Sequence, residues 1–119
     1  MTARKSNPAF LNGVPEMLIL ELLSHRPMYG YQLVQSIKTA TGGGLEFGQG
    51  CVYPILHRLE SQGILRASRQ SVGGRNRFVY CLTKKGQAQR AATVSSWQRI
   101  VTAVEHVLQG GERGRTAVA

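Results

Sequence analysis

Residues 51–63 of the sequence read CVYPILHRLESQG and decide the fold. The apolar residues of this segment follow the i, i+3, i+4, i+7 spacing of a helix with one buried face, and they are Val52, Ile55, Leu56 and Leu59. We predict a helix over residues 51–62 that ends at Gly63. Its opposite face is short, polar and cationic and carries Pro54, His57, Arg58 and Ser61, with Tyr53 on the flank. Pro54 is expected in the first turn, where its missing N–H costs least.

Two helices are predicted before this segment. Residues 15–23 are apolar almost all round, which is typical of a central buried helix, and Pro15 is a favourable first-turn residue. A second helix is expected from about Tyr29 to Ala40, ending at a run of three glycines. The following loop carries Leu45 and Phe47, which we expect to pack on the core and hold the neighbouring helices together.

A hairpin and a long helix are predicted after it. Residues 64–72 and 76–82 are two extended runs joined through Gly73-Gly74, a pattern that indicates a two-stranded β-hairpin. Thr83 is a suitable N-cap for a final helix over residues 84–108. The apolar stripe of that helix recurs at three- and four-residue steps and consists of Trp97, Ile100, Val101, Val104, Val107 and Leu108.

The order of these elements predicts a mainly α fold with a two-stranded β-hairpin. A chain of 119 residues is expected to form one domain. We predict a winged helix-turn-helix over residues 14–83 and a C-terminal dimerisation helix over residues 84–108, because a compact three-helix domain offers no other surface for the whole stripe. Residues 1–13 are expected to form a flexible basic arm and residues 109–119 a disordered tail.

The charge distribution indicates a polyanionic partner. The formal net charge is +9. No acidic residue occurs between Glu60 and Glu105, whereas eight cations fall in that interval, namely Arg66, Arg69, Arg75, Arg77, Lys84, Lys85, Arg90 and Arg99. A merely solvated basic face is the alternative. Charge alone does not distinguish DNA from RNA or from an anionic membrane.

Composition argues against most enzyme classes. The chain contains no Asp, which excludes Asp-dependent Mg²⁺ sites and a Ser-His-Asp triad. Its three histidines and two cysteines form no spaced constellation, so we expect no catalytic activity, cofactor or metal. Two unpaired cysteines fit a reducing cytoplasm. No signal peptide and no membrane-spanning segment are expected.

Three segments in order resemble the PadR-like transcriptional regulators. They are YGYQL at residues 29–33, VYPILHRLE at 52–60 with GIL at 63–65, and GRxR at 74–77 with YxLTxxG at 80–86. The resemblance runs from about Gly13 to Leu108. It implies a cytoplasmic, homodimeric DNA-binding repressor of the smaller branch, in which a single C-terminal helix makes the dimer. The helix at residues 51–62 and the hairpin would then read a double-stranded operator.

The DNA-binding residues expected on this basis lie on that helix, on the hairpin and at the start of the last helix. His57 and Arg58 are placed to bond base edges or phosphates, and Arg75 and Arg77 to lie along the minor groove or backbone. For Tyr53, a phosphate contact and half-buried packing are equal alternatives. The predicted set is Tyr53, Pro54, His57, Arg58, Arg75, Arg77, Lys84 and Lys85.

The pair Lys84-Lys85 and the residue Cys51 each have two alternative interpretations. Lys84 and Lys85 oppose the dipole of the helix that they begin, which a nearby phosphate would offset, although two solvated lysines would tolerate the small cost. Cys51 is either a redox sensor with a lowered pKa or a small space-filling residue.

The dimer interface is predicted on the apolar stripe, at Trp97, Ile100, Val101, Val104 and Leu108. A symmetric pair of Trp97 rings would form a pocket for a flat aromatic effector, although simple packing of Trp97 is the alternative. The competing hypothesis for the whole chain is a sequence-indifferent architectural or RNA-binding basic protein.

Overall fold

A computed structural model describes residues 11–110 of the chain. The predicted basic arm and disordered tail fall mostly on residues 1–10 and 111–119, which lie outside the described residues. The described chain forms four helices and three strands. In chain order these are α1 (Val14–His25), β1 (Met28–Tyr29), α2 (Gly30–Ala40), α3 (Gln49–Ser61), β2 (Leu65–Val72), β3 (Arg75–Leu82) and α4 (Lys84–Leu108). The predicted mainly α fold with a hairpin is confirmed.

The sheet has three strands rather than the two that were predicted. β1 pairs antiparallel with β3 through Met28 opposite Tyr80 and Tyr29 opposite Val79, so the strand order is β1-β3-β2. Two residues are too few to show an alternating pattern, which is why the sequence gives no signal for β1. Its effect is to bring the start of α2 against the base of the hairpin.

The core lies where α1, α2 and α3 meet the sheet. Its fully buried side chains include one set from each helix, with Ile19 and Leu20 from α1, Leu33 and Ile37 from α2, and Val52, Leu56 and Leu59 from α3. Phe47 is only 3% exposed and Leu45 packs against the core, as predicted for the loop between α2 and α3. The apolar face predicted for α3 is therefore a face that the fold buries.

The end of α3 is a Schellman motif. Gly63 has a φ of 78°, a left-handed conformation that glycine adopts without strain. Its N–H donates to the carbonyl of Glu60 at 3.0 Å, and the N–H of Ile64 donates to the carbonyl of Leu59 at 2.9 Å. This motif ends the helix and directs the chain into β2.

The start of α4 is bonded to that same turn. The hydroxyl of Thr83 donates to the carbonyl of Gly63 at 2.6 Å and accepts from the N–H of Gly86 at 3.1 Å, which makes Thr83 the predicted N-cap. The backbone N–H of Thr83 donates to the carbonyl of Ile64 at 3.1 Å. We call this set of contacts the α3–α4 junction. It joins the predicted DNA-facing helix to the predicted dimerisation helix.

α4 leaves the junction along α1. A helix of 25 residues is about 37 Å long. Arg90 Nη1 donates to Glu21 Oε1 at 3.0 Å and ties the first half of α4 to α1. Most of the apolar stripe beyond that contact is exposed, whereas Val101 is half-buried.

Gly86 is the residue on which the close approach at the junction depends. A Cβ at this position would overlap the carbonyl oxygen of Ile64, which is backbone and has little freedom to move. We expect Gly86→Ala to lower the free energy of unfolding by about 1–3 kcal/mol, measured by urea denaturation at a fixed protein concentration.

Gly50→Ala is the matched control, because a Cβ on Gly50 in the first turn of α3 meets nothing within 4 Å. It should raise stability by about 0.4–1 kcal/mol. Equal stability of the two variants would show that the junction does not need the glycine.

Candidate nucleic-acid interface

The polar face of α3 is open to solvent. Pro54, His57, Arg58 and Ser61 are all exposed. The expectation for Pro54 was wrong in one respect, because α3 begins at Gln49 and places the proline inside the helix rather than in its first turn. The missing N–H of Pro54 therefore leaves the carbonyl of Gly50 without its usual helical donor.

Tyr53 packs on the first residue of α2. A Cβ on Gly30 would overlap Cε1 of the Tyr53 ring, so the glycine makes room for the aromatic side chain. Tyr53 is half-buried and packs against the core. Of the two alternatives for Tyr53, this arrangement supports packing, with the ring at the edge of the exposed face.

Arg58 has a partner within the chain. Its Nη2 donates to Glu16 Oε1, in the first turn of α1, at 2.7 Å. The Arg58 side chain is 48% exposed, and ion pairs this exposed contribute about 0–1 kcal/mol. Arg58 is thus oriented by α1, but weakly enough that a DNA contact can replace or share the bond.

The two arginines predicted on the hairpin have different surroundings. Gly73 and Gly74 both have positive φ, at 59° and 79°, which gives the two-residue turn that was predicted between the strands. Arg75 directly follows this turn and is exposed. Arg77 lies two residues further along β3, with its guanidinium carbon 4.3 Å from the centre of the Tyr29 ring. This distance is typical of a cation–π contact.

A cleft of about 260 Å³ separates α3 from the hairpin. It brings together three of the predicted residues, Tyr53 and His57 from α3 and Arg77 from β3. The cleft is also lined by residues that the sequence analysis did not select, namely Tyr29, Gly30, Asn76, Phe78 and Tyr80. The remaining predicted residues, Pro54, Arg58, Arg75, Lys84 and Lys85, lie outside it.

One signal in the sequence points to these missed residues. Tyr29-Gly30 pairs an aromatic residue with a glycine at the start of a helix, and a glycine inside a helical pattern often marks a close approach by another group. The approaching group is the Tyr53 ring. Its identity depends on a contact between residues 23 positions apart, which local patterns do not encode.

The two lysines at the start of α4 differ as well. Lys85 Nζ donates to the carbonyl of Gln62, the C-cap residue of α3, at 2.8 Å. A cation at a helix C-terminus is favourable, so this contact offsets the cost of placing Lys85 in the first turn of α4. Lys84 is exposed.

Two groups near the interface have raised pKa values. Burial raises the pKa of the Cys51 thiol. A redox sensor needs the opposite shift, so this direction favours a packing role for Cys51. Burial, and then the charges of Glu60 and Tyr53, raise the pKa of the Tyr80 hydroxyl. Both groups therefore stay protonated at neutral pH.

Within residues 11–110, no group of three or more His, Cys or Glu side chains is placed to hold a metal ion. In the same part of the chain, no helix is both long enough and apolar enough to cross a membrane.

Comparison with known proteins identifies the family. The model of the transcriptional regulator PadR-like family matches residues 19–92, which hold the second part of α1, the sheet, α2, α3 and the first part of α4. The crystal structure of a PadR-like transcriptional regulator from Bacillus cereus is 29% identical, with a TM-score of 0.76, and the similarity covers 87% of this chain and 99% of that one.

Two further similar proteins are also transcriptional regulators. A PadR family transcriptional regulator from Eggerthella lenta is 30% identical with a TM-score of 0.71, over 85% of this chain and 87% of that one. The transcriptional regulator Rv3488 of Mycobacterium tuberculosis is 33% identical over 79 residues, which are 66% of this chain and 71% of the relative. The chain belongs to the PadR-like family of transcriptional regulators.

Proposed function

We propose that this protein is a homodimeric, sequence-specific DNA-binding repressor that acts in the cytoplasm. The observation that carries the proposal is the position of its unneutralised charge. Among the eight cations between Glu60 and Glu105, only Arg90 forms an ion pair within the described part of the chain. The others include the arginines of the hairpin, which stands beside the exposed face of α3.

The dimensions of these elements suit B-form DNA. The major groove is about 12 Å wide and admits one α-helix, and we place α3 there with His57 and Arg58 towards the bases. The hairpin, which we call the wing, would follow the adjacent backbone and minor groove, with Arg75 at its tip. Lys84 would meet a neighbouring phosphate at the start of α4.

The proposed dimer rests on the exposed stripe of α4. Trp97 is 42% exposed, Ile100 54% and Leu108 75%. Together with Val101 and Val104 these residues lie on one face of the C-terminal half of α4. Contiguous exposed apolar residues on a small protein mark an interaction surface, and a second copy of the same stripe is self-complementary to it.

An effector site beside Trp97 is a further part of the proposal. Trp97 and Ile100 line an apolar groove of about 170 Å³ against Val14 and Met17 of α1. Ligand pockets are usually larger, at about 300 Å³ or more, so a second copy of α4 would have to enclose the groove. A flat aromatic compound would then lie beside Trp97 and relieve repression.

The reading role of α3 is tested by Arg58→Ala and, separately, His57→Ala. A DNA site is first selected from random sequences, and binding to it and to a scrambled site is measured by fluorescence anisotropy over a range of salt. The unsubstituted protein should show a log–log salt slope of about −5 to −9, from six to ten phosphate contacts. Each substitution should lower the preference for the selected site by about 1–3 kcal/mol at the affected base pair.

Arg99→Ala is the matched control, because Arg99 is an exposed arginine of α4 away from α3. It should leave the preference unchanged. If the α3 variants kept full preference while losing affinity for all DNA, α3 would not be the reader. Failure of the selection to enrich any sequence, or tighter binding to RNA, would favour the sequence-indifferent alternative.

The dimer interface is tested by Trp97→Ala. Burying such an aromatic contributes on the order of 2 kcal/mol per subunit, so the substitution should raise the dimer dissociation constant more than about tenfold. Sedimentation velocity measures the change. Trp97 is the single tryptophan of the chain, so quenching of its emission by planar aromatic compounds reports on the proposed pocket.

Tyr31→Ala is the control for that measurement, since Tyr31 is an aromatic residue of α2 with a similar exposure of 44%. It should leave dimerisation unchanged. Equal dimerisation of the Trp97→Ala variant and the unsubstituted protein would refute the interface. Emission of an intact dimer that is never quenched would remove the effector alone.

A further inference from the structure

We propose that the cleft between α3 and the wing binds one phosphodiester of the DNA backbone, with Arg77 as its charge partner and Tyr29 as the platform that holds Arg77 in place. This inference rests on the proposed function and assigns one contact within it. It also gives Arg77 a role different from that of Arg75, although the sequence analysis treated the two arginines alike.

The first observation is the position of the cleft between α3 and the wing. If α3 occupies the major groove and the wing follows the adjacent minor groove, the strand of backbone that separates the two grooves must cross the gap between them. That gap is the cleft, because its walls are Tyr53 and His57 of α3 on one side and Asn76 and Arg77 of β3 on the other. A phosphate in this position contacts both DNA-binding elements at once.

The second observation is the set of contacts that the Arg77 side chain makes. Its guanidinium lies over the Tyr29 ring at 4.3 Å, and among residues 11–110 it forms no ion pair. Its Nε is buried and has no hydrogen-bond partner in the same part of the chain. The ring therefore fixes a positive charge at the wall of the cleft without neutralising it.

The third observation is the chemistry of the other residues that line the cleft. The Tyr53 hydroxyl and the Asn76 amide are hydrogen-bond donors suited to a phosphate oxygen, and no carboxylate lines the cleft. Arginine is suited to phosphate because its planar group presents several N–H donors in a fixed geometry. One charged donor with neutral donors around it fits a singly charged phosphodiester.

The experiment replaces one phosphate at a time in the selected DNA site by an uncharged methylphosphonate. With the unsubstituted protein, one position in each half-site should lose about ten- to a hundredfold in affinity through the cleft contact. Arg77→Ala should bind unmodified DNA more weakly and show no further loss at that position. Its salt slope should become shallower by about 1 for each chain bound.

Arg69→Ala is the matched control. Arg69 also lies over an aromatic ring of the wing, 5.0 Å from the centre of Phe78, but it does not line the cleft. This variant should keep the full methylphosphonate effect at the same position. Arg77→Lys retains the charge and should keep the salt slope while losing part of the affinity, which guards against a folding defect in the alanine variant.

The outcomes distinguish a failure of the phosphate contact from a failure of the proposed DNA-binding function. If Arg77→Ala remained as sensitive as the unsubstituted protein to every methylphosphonate, the phosphate contact would be refuted and DNA binding would stand. The contact would also be refuted if no single methylphosphonate weakened DNA binding by the unsubstituted protein. If the unsubstituted protein bound no DNA, the proposed function would fail together with the contact.

Discussion

The rest of the structure depends on the α3–α4 junction. α3 ends there in a left-handed glycine, and the carbonyls of Gly63 and Ile64 accept hydrogen bonds from the hydroxyl and the N–H of Thr83, the residue before α4. Because Gly86 lets α4 approach the backbone of Ile64 closely, the start of α4 lies against the turn that ends α3. α3 and α4 are thus held at a fixed angle, and any partner that orients α4 also orients α3.

This constraint links the two surfaces of the proposed regulator. In a two-fold dimer made by α4, the junction would set the distance between two copies of α3, because each α3 is attached to the start of an α4 that is about 37 Å long. The ion pair between Arg90 and Glu21 adds a second support on α1. A rigid connection of this kind is what a protein needs in order to match two half-sites on one DNA duplex.

The wing positions its arginine side chains without acidic partners. No carboxylate lies in the sequence between Glu60 and Glu105, so the arginines of the hairpin have no local ion-pair partners. Arg69 and Arg77 rest on aromatic faces instead. A cation–π contact restricts the side chain but leaves its charge available to a polyanion. The acids that do form ion pairs, such as Glu16 and Glu21, lie on α1 and not on the wing.

The sequence predicts the elements of this fold better than the contacts between them. The helical spacing of Val52 to Leu59, the glycine pair of the hairpin and the N-cap Thr83 are local signals, and each prediction from them is confirmed. β1, the pairing of Arg58 with Glu16 and the position of Arg77 on Tyr29 depend on residues far apart in the chain. The face of α3 could therefore be read from the sequence, whereas the cleft beside it could not.

Hydroxyl-radical footprinting on a selected DNA site tests most directly whether α4 pairs two chains and thereby places two copies of α3 on one duplex. We expect two protected patches on one face of the DNA, related by two-fold symmetry and centred about one or two helical turns apart, at ~34 Å per turn. A single unsymmetrical patch, or equal protection of all sequences, would contradict the dimeric, sequence-reading arrangement.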